Sequence, residues 1–562
     1  MSDGPERVVR NGGALLVACL EALGARMAFG VPGESYLPVL DAMYDTRGRF
    51  DFVLCRQEGG AAFMADAYGK LTGTPGICMV TRGPGVTNAS IGIHSAMQAS
   101  TPALYFVGQV GTDMLGREAF QEINYRAVFG TVAKWATEIE HVDRIPEIVS
   151  RAWSVALSGR PGPVVIALPE DVLSAETATR PLSRVPAIAE PAPAATPLAE
   201  TRRALAEASR PLIIMGGAGW TAEGKAAIQR FAEASQIPVL CAFRYLDLFD
   251  NNSPVFSGDA GVGMTAGVKK LITDADLVLA LNIRFGEMTT GAYTLFDVPE
   301  ARQRIVHAHA SADEIGKIYS PEIALHAGPN TTSVALADAP IAGDWASWCR
   351  EARAQYVDGL EAPEQPSPVD MGVVMKTLRE RLADDAILTN GAGNFAVWPS
   401  KFFVYGPKHR LLGPQSGAMG YGLPAAVAAK VVYPDRQVVC VAGDGDFQMN
   451  CQELGTAMQV GRGPVILVVN NGTYGTIRMH QERTYPERVS GTELQNPDFS
   501  ALAASYGFHG ERVETTADFP AALERALASP TGAVLDLNVS AEALSPRQSL
   551  SQMRAAALAA KG

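Results

Sequence analysis

The sequence predicts an α/β protein made of three consecutive parallel-sheet domains. Short apolar runs alternate with longer amphipathic segments along almost the whole chain, the pattern of strands joined by crossover helices. Two stretches interrupt it and read as linkers: a Pro- and Ala-rich one at Pro181–Pro197, and a polar, Pro-containing one at Glu361–Asp370. The length, 562 residues, suits roughly three to four domain-sized cores.

The first domain is expected over residues 1–185. Its helix-like segments ALLVACLEAL, YLPVLDAMY and GGAAFMADAYGKL alternate with the strand candidates MAFGV, FVLCR and GICMVT. The second, over 190–345, has the strand candidates PLIIMGG, IPVLCA, LVLALNI and RIVHAHA. The third, over 366–562, has AILTN, VVCVAGDG, VILVVNN and AVLDLNV.

Hydrophobic residues make up 47 % of the chain and the net charge is −12, with both signs mixed along the sequence. That excludes a disordered or fibrous protein and gives no footprint for nucleic acid or an anionic membrane. No uncharged apolar run reaches membrane-spanning length, and the charged start MSDGPERVVR is unlike a signal peptide, so a cytoplasmic protein is expected. The seven cysteines are scattered without a C-x-x-C pair, which suggests buried thiols rather than disulfides or zinc.

Chemistry concentrates in the third domain. The strand VVCVAG ends in Gly443-Asp444-Gly445, a helical segment QMNCQELGTAMQV follows, and the next strand ends in Asn470-Asn471. Adjacent parallel strands put such carboxyl ends side by side, where α/β sheets bind ligands. Asp444, the Asn471 amide and the Thr473 carbonyl make a hard-oxygen set suited to Mg²⁺ with room for phosphate oxygens. Gly443 and Gly445 let backbone N–H groups approach those phosphates. Either half alone is a common strand-end turn; both together, joined by a helix, point to a metal–diphosphate site.

G-D-G followed by about 24 residues and N-N resembles the diphosphate signature of thiamine diphosphate enzymes. With FGVPGES, RQEGGAAFMADAYGKLTG, TRGPGVTNASIGI, GQV, EAFQE, GRPGPVVIALPEDV, SGAMGYGLPAA and GDGDFQMNCQEL, the chain is similar over nearly its whole length to the acetohydroxyacid (acetolactate) synthase-like branch. The resemblance implies pyrimidine-binding, central and diphosphate-binding domains, and two chains sharing each active site. It implies that Glu58 protonates N1′ of the aminopyrimidine, that Met419 wedges the cofactor into its bent form, and that the Gly417 carbonyl accepts from the 4′-amine. Gly33, Glu34, Ser35, Gly83, Phe120, Gln121 and Lys134 match positions lining the catalytic pocket.

Departures from the family pattern bear on specificity. The synthases commonly read R-H-E-Q-G where this chain has Arg56-Gln57-Glu58-Gly59-Gly60. They read G-M-V-x-x-W-Q where it has Gly475-Thr476-Ile477-Arg478-Met479-His480-Gln481, so Thr476, Ile477 and His480 become pocket candidates and His480 a candidate proton donor. In the central domain the resemblance allows FAD without a redox role, an ADP-type nucleotide, or nothing; the turn Gly216–Gly219 could approach one, but the strand end reads His307-Ala308-His309 in place of an aspartate.

The expected activity is therefore a thiamine diphosphate- and Mg²⁺-dependent carboligase that decarboxylates a 2-oxoacid and joins the remainder to a second carbonyl. A 2-oxoacid decarboxylase or acyloin (2-hydroxyacyl) lyase is the alternative, and a non-catalytic cofactor-binding paralogue ranks last. Expected partners are small 2-oxoacids and aldehydes and a second copy of the chain, as a homodimer or dimer of dimers. The sequence gives no specific indication of a regulatory subunit.

Overall fold

The computed structural model describes residues 8–561. Three six-stranded, all-parallel sheets follow one another along the chain, with helices in the crossovers between their strands. In the first, the spatial order is Asp51–Leu54, Met27–Gly30, Gly76–Val80, Ala103–Gln109, Pro163–Pro169 and Trp135–Glu138. In the third it is Arg410–Leu412, Ile387–Asn390, Val438–Gly443, Val465–Asn470, Ala533–Asn538 and His509–Val513. Numbered within each domain, both run 2-1-3-4-6-5. The middle sheet runs 3-2-1-4-5-6, the doubly wound order of dinucleotide-binding sheets.

Local chemistry sets the element ends. The helix Glu58–Thr72 starts where the Gln57 side chain accepts from Gly60 N, and stops at Gly73 in the left-handed region (φ +70°). The helix Met371–Arg381 starts at Asp370, whose carboxylate accepts from Gly372 N and Val373 N. The expected helix QMNCQELGTAMQV is instead broken: Asp444–Gln448 ends, Asn450 turns to φ −141°, and helix resumes at Leu454–Val460. Asn favours turns over helix interiors, which accounts for the break. The first linker is also shorter than expected, because the helix Ala195–Glu207 takes Pro197 into its first turn, where a missing N–H costs nothing.

By contacts the chain forms two units. One holds residues 8–189 with Val427–Val432 and Asn450–Gly461; the other holds Glu190–Ala426, Tyr433–Met449 and Arg462 onward. The first unit packs Leu15, Leu20, Phe50 and Trp153 against its sheet. In the second, one continuous apolar core joins residues of the middle sheet, such as Ile213 and Leu279, to those of the third, such as Val441 and Leu467. All seven cysteines are free, six buried and Cys451 half-buried. Among the described residues no helix is long and apolar enough to cross a membrane.

Candidate functional site

In the third sheet the strands Val438–Gly443 and Val465–Asn470 are neighbours, so Asp444 and Asn471 leave the same edge together. Asp444 is 3 % exposed. Its Oδ1 accepts from Gly445 N at 2.9 Å, and its Oδ2 from Gly472 N at 2.8 Å and Asn496 Nδ2 at 2.7 Å. Burial raises its carboxyl above the ordinary range, and these donors pull it part of the way back. A buried carboxylate held by neutral donors beside an amide oxygen fits a divalent cation. Gly443, Gly445, Asn471, Thr473, Thr476, Ile477 and Met419 line the same cleft. Gly417 adopts φ +71°, which favours glycine there.

Asp446, two residues beyond Asp444, ties this edge together. Its Oδ1 accepts from both Ala392 N at 3.1 Å and Gly420 N at 2.9 Å. A Cβ on Gly391 would lie 2.0 Å from that same atom, so the close approach requires glycine. Arg244 is also buried here; it donates to Gly391 O at 2.9 Å and to Pro414 O. Burial pushes the Asp446 carboxyl up to about 7.

In the first unit, Glu58 opens its helix and accepts from Asn88 Nδ2 at 3.0 Å. Just before it, Gln57 N donates to Glu453 Oε1 at 2.9 Å, and Arg56 N donates to the same carboxylate. Glu453 is wholly buried and its carboxyl is raised by burial. The structure also gathers Glu34, Phe120 and Gln121 around Arg82. Its Nη2 meets Glu34 Oε1 at 3.0 Å and its Nε meets Gln121 Oε1 at 3.2 Å, Nη1 pairs with Glu170, and the guanidinium lies 6.0 Å from the Phe120 ring centre. Gly83 touches the Gln121 backbone, Gly33 packs on Thr81, and Ser35 shares a hydrogen bond with Thr81 Oγ1 at 2.9 Å.

Two expected residues stand apart. Lys134 donates to Val155 O at 2.5 Å and to Ser158 O, at the carboxyl end of the helix Ile145–Leu157, where an ammonium complements the helix dipole. Burial, with Arg160 nearby, lowers it to about 8. His480 is exposed on the helix Gly475–Thr484 and lines a neighbouring cavity rather than the Asp444 cleft.

Three family profiles match the chain: thiamine pyrophosphate enzyme N-terminal TPP binding domain over residues 10–128, central domain over 198–336, and C-terminal TPP binding domain over 391–537. The acetolactate synthase isozyme 2 large subunit of Escherichia coli is 32 % identical, covering 94 % of this chain and 95 % of the relative. An acetolactate synthase of Arthrospira platensis is 32 % identical, covering 96 % of each. The mitochondrial acetolactate synthase catalytic subunit of Saccharomyces cerevisiae is 30 % identical, covering 94 % of this chain and 80 % of the relative.

The chain belongs to the thiamine pyrophosphate enzyme family.

Within this thiamine pyrophosphate enzyme, Asn282 braces the turn at the crevice where the middle sheet changes direction. Asn282 Nδ2 donates to Gly216 O at 3.2 Å and Ala218 O at 2.9 Å, and a Cβ on Gly217 would lie 2.3 Å from Asn282 O. His307 and His309 are buried and bonded to backbone, His307 to Ile283 O at 2.9 Å and His309 to Ser311 N at 3.0 Å. The next acid buried beyond that strand, Glu314, is 5 % exposed and faces Arg284 and Lys317. The strand end thus carries buried, backbone-bonded histidines in place of an acid, while the turn Gly217–Gly219 stays half-buried to exposed.

The sequence alone did not single out Asp446, Asn496, Asn88 and Glu453 as parts of these clusters, whereas Arg82 stands in the turn Arg82-Gly83-Pro84-Gly85 that matches the pocket lining of the family. Asp446 had a signal, a second acid inside G-D-G-D. The others had none, since their partners lie far away in sequence.

Proposed function

We propose that the protein is a thiamine pyrophosphate- and Mg²⁺-dependent carboligase of the acetolactate synthase type, acting on 2-oxoacids. The observation that carries this is Asp444, a buried carboxylate at a strand end, held by neutral donors beside Asn471. The bound cofactor supplies the carbanion-stabilising chemistry that lets a 2-oxoacid lose CO₂ and add to a second carbonyl. Asp444, Asn471 and the Thr473 carbonyl would hold Mg²⁺, whose charge would offset that of the diphosphate. Backbone groups of Gly443 and Gly445 bind the diphosphate, while Gly417 and Met419 orient the aminopyrimidine. Glu58 holds a proton at N1′, its carboxylate oriented by Asn88. Gly33 and Glu34 belong to the cofactor side, and Ser35, Gly83, Phe120, Gln121, Thr476 and Ile477 shape the substrate side. No flavin or ADP-dependent step belongs to this reading.

A cytoplasmic homodimer or dimer of dimers, with boundaries near 185–190 and 345–366, completes the proposal, and the relatives' designation as large subunits makes a regulatory subunit part of it. Protonation in place of carbon–carbon bond formation would give the decarboxylase or lyase. The imidazole of His480, on the cavity beside the cleft, supports that second reading.

Purified protein with thiamine pyrophosphate, Mg²⁺ and pyruvate should release CO₂ and form a 2-hydroxyketone or acetolactate. Asp444→Ala should abolish measurable cofactor binding by calorimetry, and unchanged binding would remove the site assignment. Aldehyde as the main product, with an aldehyde-to-carboligation ratio that shifts with pH in wild type but not in His480→Phe, would favour the second reading.

A further inference from the structure

Beside the Asp444 cleft lies a cavity of about 400 Å³, and the two share Asn394, Thr476 and Leu544. Its body is mostly apolar, walled by Leu246, Val262, Val268, Leu271, Ala352 and Met479. Its lining holds a single carboxylate, Asp259, which is 5 % exposed and paired with Lys401 at 3.1 Å. Arg483 and Arg547 also line it, both exposed, and neither makes an ion pair or hydrogen bond with any described residue. The lining therefore carries two fixed positive charges without protein partners beside an apolar interior.

Cavities from about 300 Å³ upward hold ligands of drug size. Pyruvate or acetaldehyde would leave most of this one unfilled. Unpaired guanidinium groups at the edge of an apolar wall favour an anion whose body can be buried.

We propose that this cavity is the acceptor subsite, and that the acceptor is a carbonyl compound with an apolar body well beyond three carbons and an anionic end, carboxylate or phosphate, received by Arg483 and Arg547. This rests on the carboligase reading above. In the step, the C1–C2 bond of the donor 2-oxoacid breaks with loss of CO₂, and the electron pair left on C2 forms a bond to the acceptor carbonyl carbon. That carbonyl oxygen takes one proton, so donor anion, acceptor and H⁺ give CO₂ and a 2-hydroxyketone with no oxidant or reductant.

Two measurements separate the inference from its foundation. In the first, the cofactor-loaded protein is given each of a panel of 2-oxoacid donors with acetaldehyde, pentanal, nonanal or 9-oxononanoate. The expected order of kcat/KM places 9-oxononanoate about tenfold or more above acetaldehyde. Arg483→Gln with Arg547→Gln should remove that advantage, and Ala352→Trp, which fills the cavity, should do the same, while acetaldehyde turnover stays within about twofold. A wild-type preference for acetaldehyde, or equal losses on every acceptor, would overturn the proposal. In the second, nonanoate and octyl phosphate are titrated into the same protein as non-reacting probes. Binding that weakens about tenfold in the double variant supports the subsite, and the stronger of the two names the anion. Nonanoate and octyl phosphate binding no better than acetate, or unaffected by the variants, overturns it. Failure of every donor to release CO₂ removes the carboligase reading, and with it the assignment of this cavity to an acceptor, even where the probes bind.

Discussion

At the residue scale, opposing effects act on the Asp444 carboxyl. Burial favours the protonated acid, and the Asn496 amide with two backbone N–H groups opposes that. Asn496 is itself anchored by Gln448 and Asn470, so its direction is fixed before any metal arrives. Asn496→Ala should weaken Mg²⁺ binding about 10- to 100-fold, read by metal titration in the presence of thiamine pyrophosphate, with the fold retained. Asp446 behaves differently. Its folded-state value of about 7 lies above the ordinary 3.8, so the folded protein holds a proton that the unfolded chain releases. Its contribution to stability is present below about pH 4 and is lost as the pH rises through 7. Asn can still accept both bonds at Oδ1 without ionising. The thermal midpoint of Asp446→Asn relative to wild type, measured without cofactor, should therefore rise between about pH 4 and 7 and then level off; a flat difference would place the titration elsewhere.

At the element scale, the helix Gly475–Thr484 carries Thr476, Ile477 and His480, and it is fixed from behind. Glu482, with a fully buried side chain, receives Arg554 Nε at 2.9 Å and Nη2 at 2.7 Å from the helix Leu550–Ala559, and Arg478 Nη2 at 2.9 Å from its own helix. These partners lower the Glu482 carboxyl to about 2, the hydrogen bond from Arg554 being the largest cause. The stabilisation is present above about pH 4.5 and disappears as the pH falls through 2. Arg554→Met removes the bidentate partner while keeping much of the apolar stem. It should cost on the order of 2 kcal/mol and move the acid-unfolding midpoint upward in pH. Circular dichroism across an acid titration reads both effects. In the other unit, Glu453 plays a comparable part at the start of the Glu58 helix. A Cβ on Gly60 would lie 2.6 Å from Glu453 Oε1, so glycine is required for that approach.

At the scale of the whole molecule, the proposed sharing of each site by two chains has a direct consequence. Glu58→Gln and Asp444→Ala proteins should each be inactive as pure dimers. Mixed under conditions that exchange subunits, they should regain activity, because a hybrid dimer has one site with both residues intact. Random exchange makes the recovery about a quarter of wild type. No recovery despite demonstrated exchange would argue that Glu58 and Asp444 of one chain serve the same site.

The three-sheet architecture was legible because parallel strands buried on both faces read as continuous apolar runs, as in VILVV and LVLAL. Short or polar edge strands were not: Arg410–Leu412 and His509–Val513 carry too little apolar pattern to announce themselves. Asp444 and Asn471 could be paired from sequence because consecutive strands are commonly neighbours in a sheet. Asn496 and Glu453 could not, since each reaches its partner across distances of 52 and 396 positions, which local pattern does not encode. Lys134 turns to carbonyls at a helix end for the same reason. Sequence by itself determined the fold class, the family and the strand-end acid, all of which follow from periodicity and short motifs. Tertiary structure alone decided which donors hold each carboxylate, that Asn282 braces the turn at the middle crevice, and that a cationic-edged cavity opens beside the cleft. Those depend on where side chains from distant segments converge, and burial there sets the charge of each group.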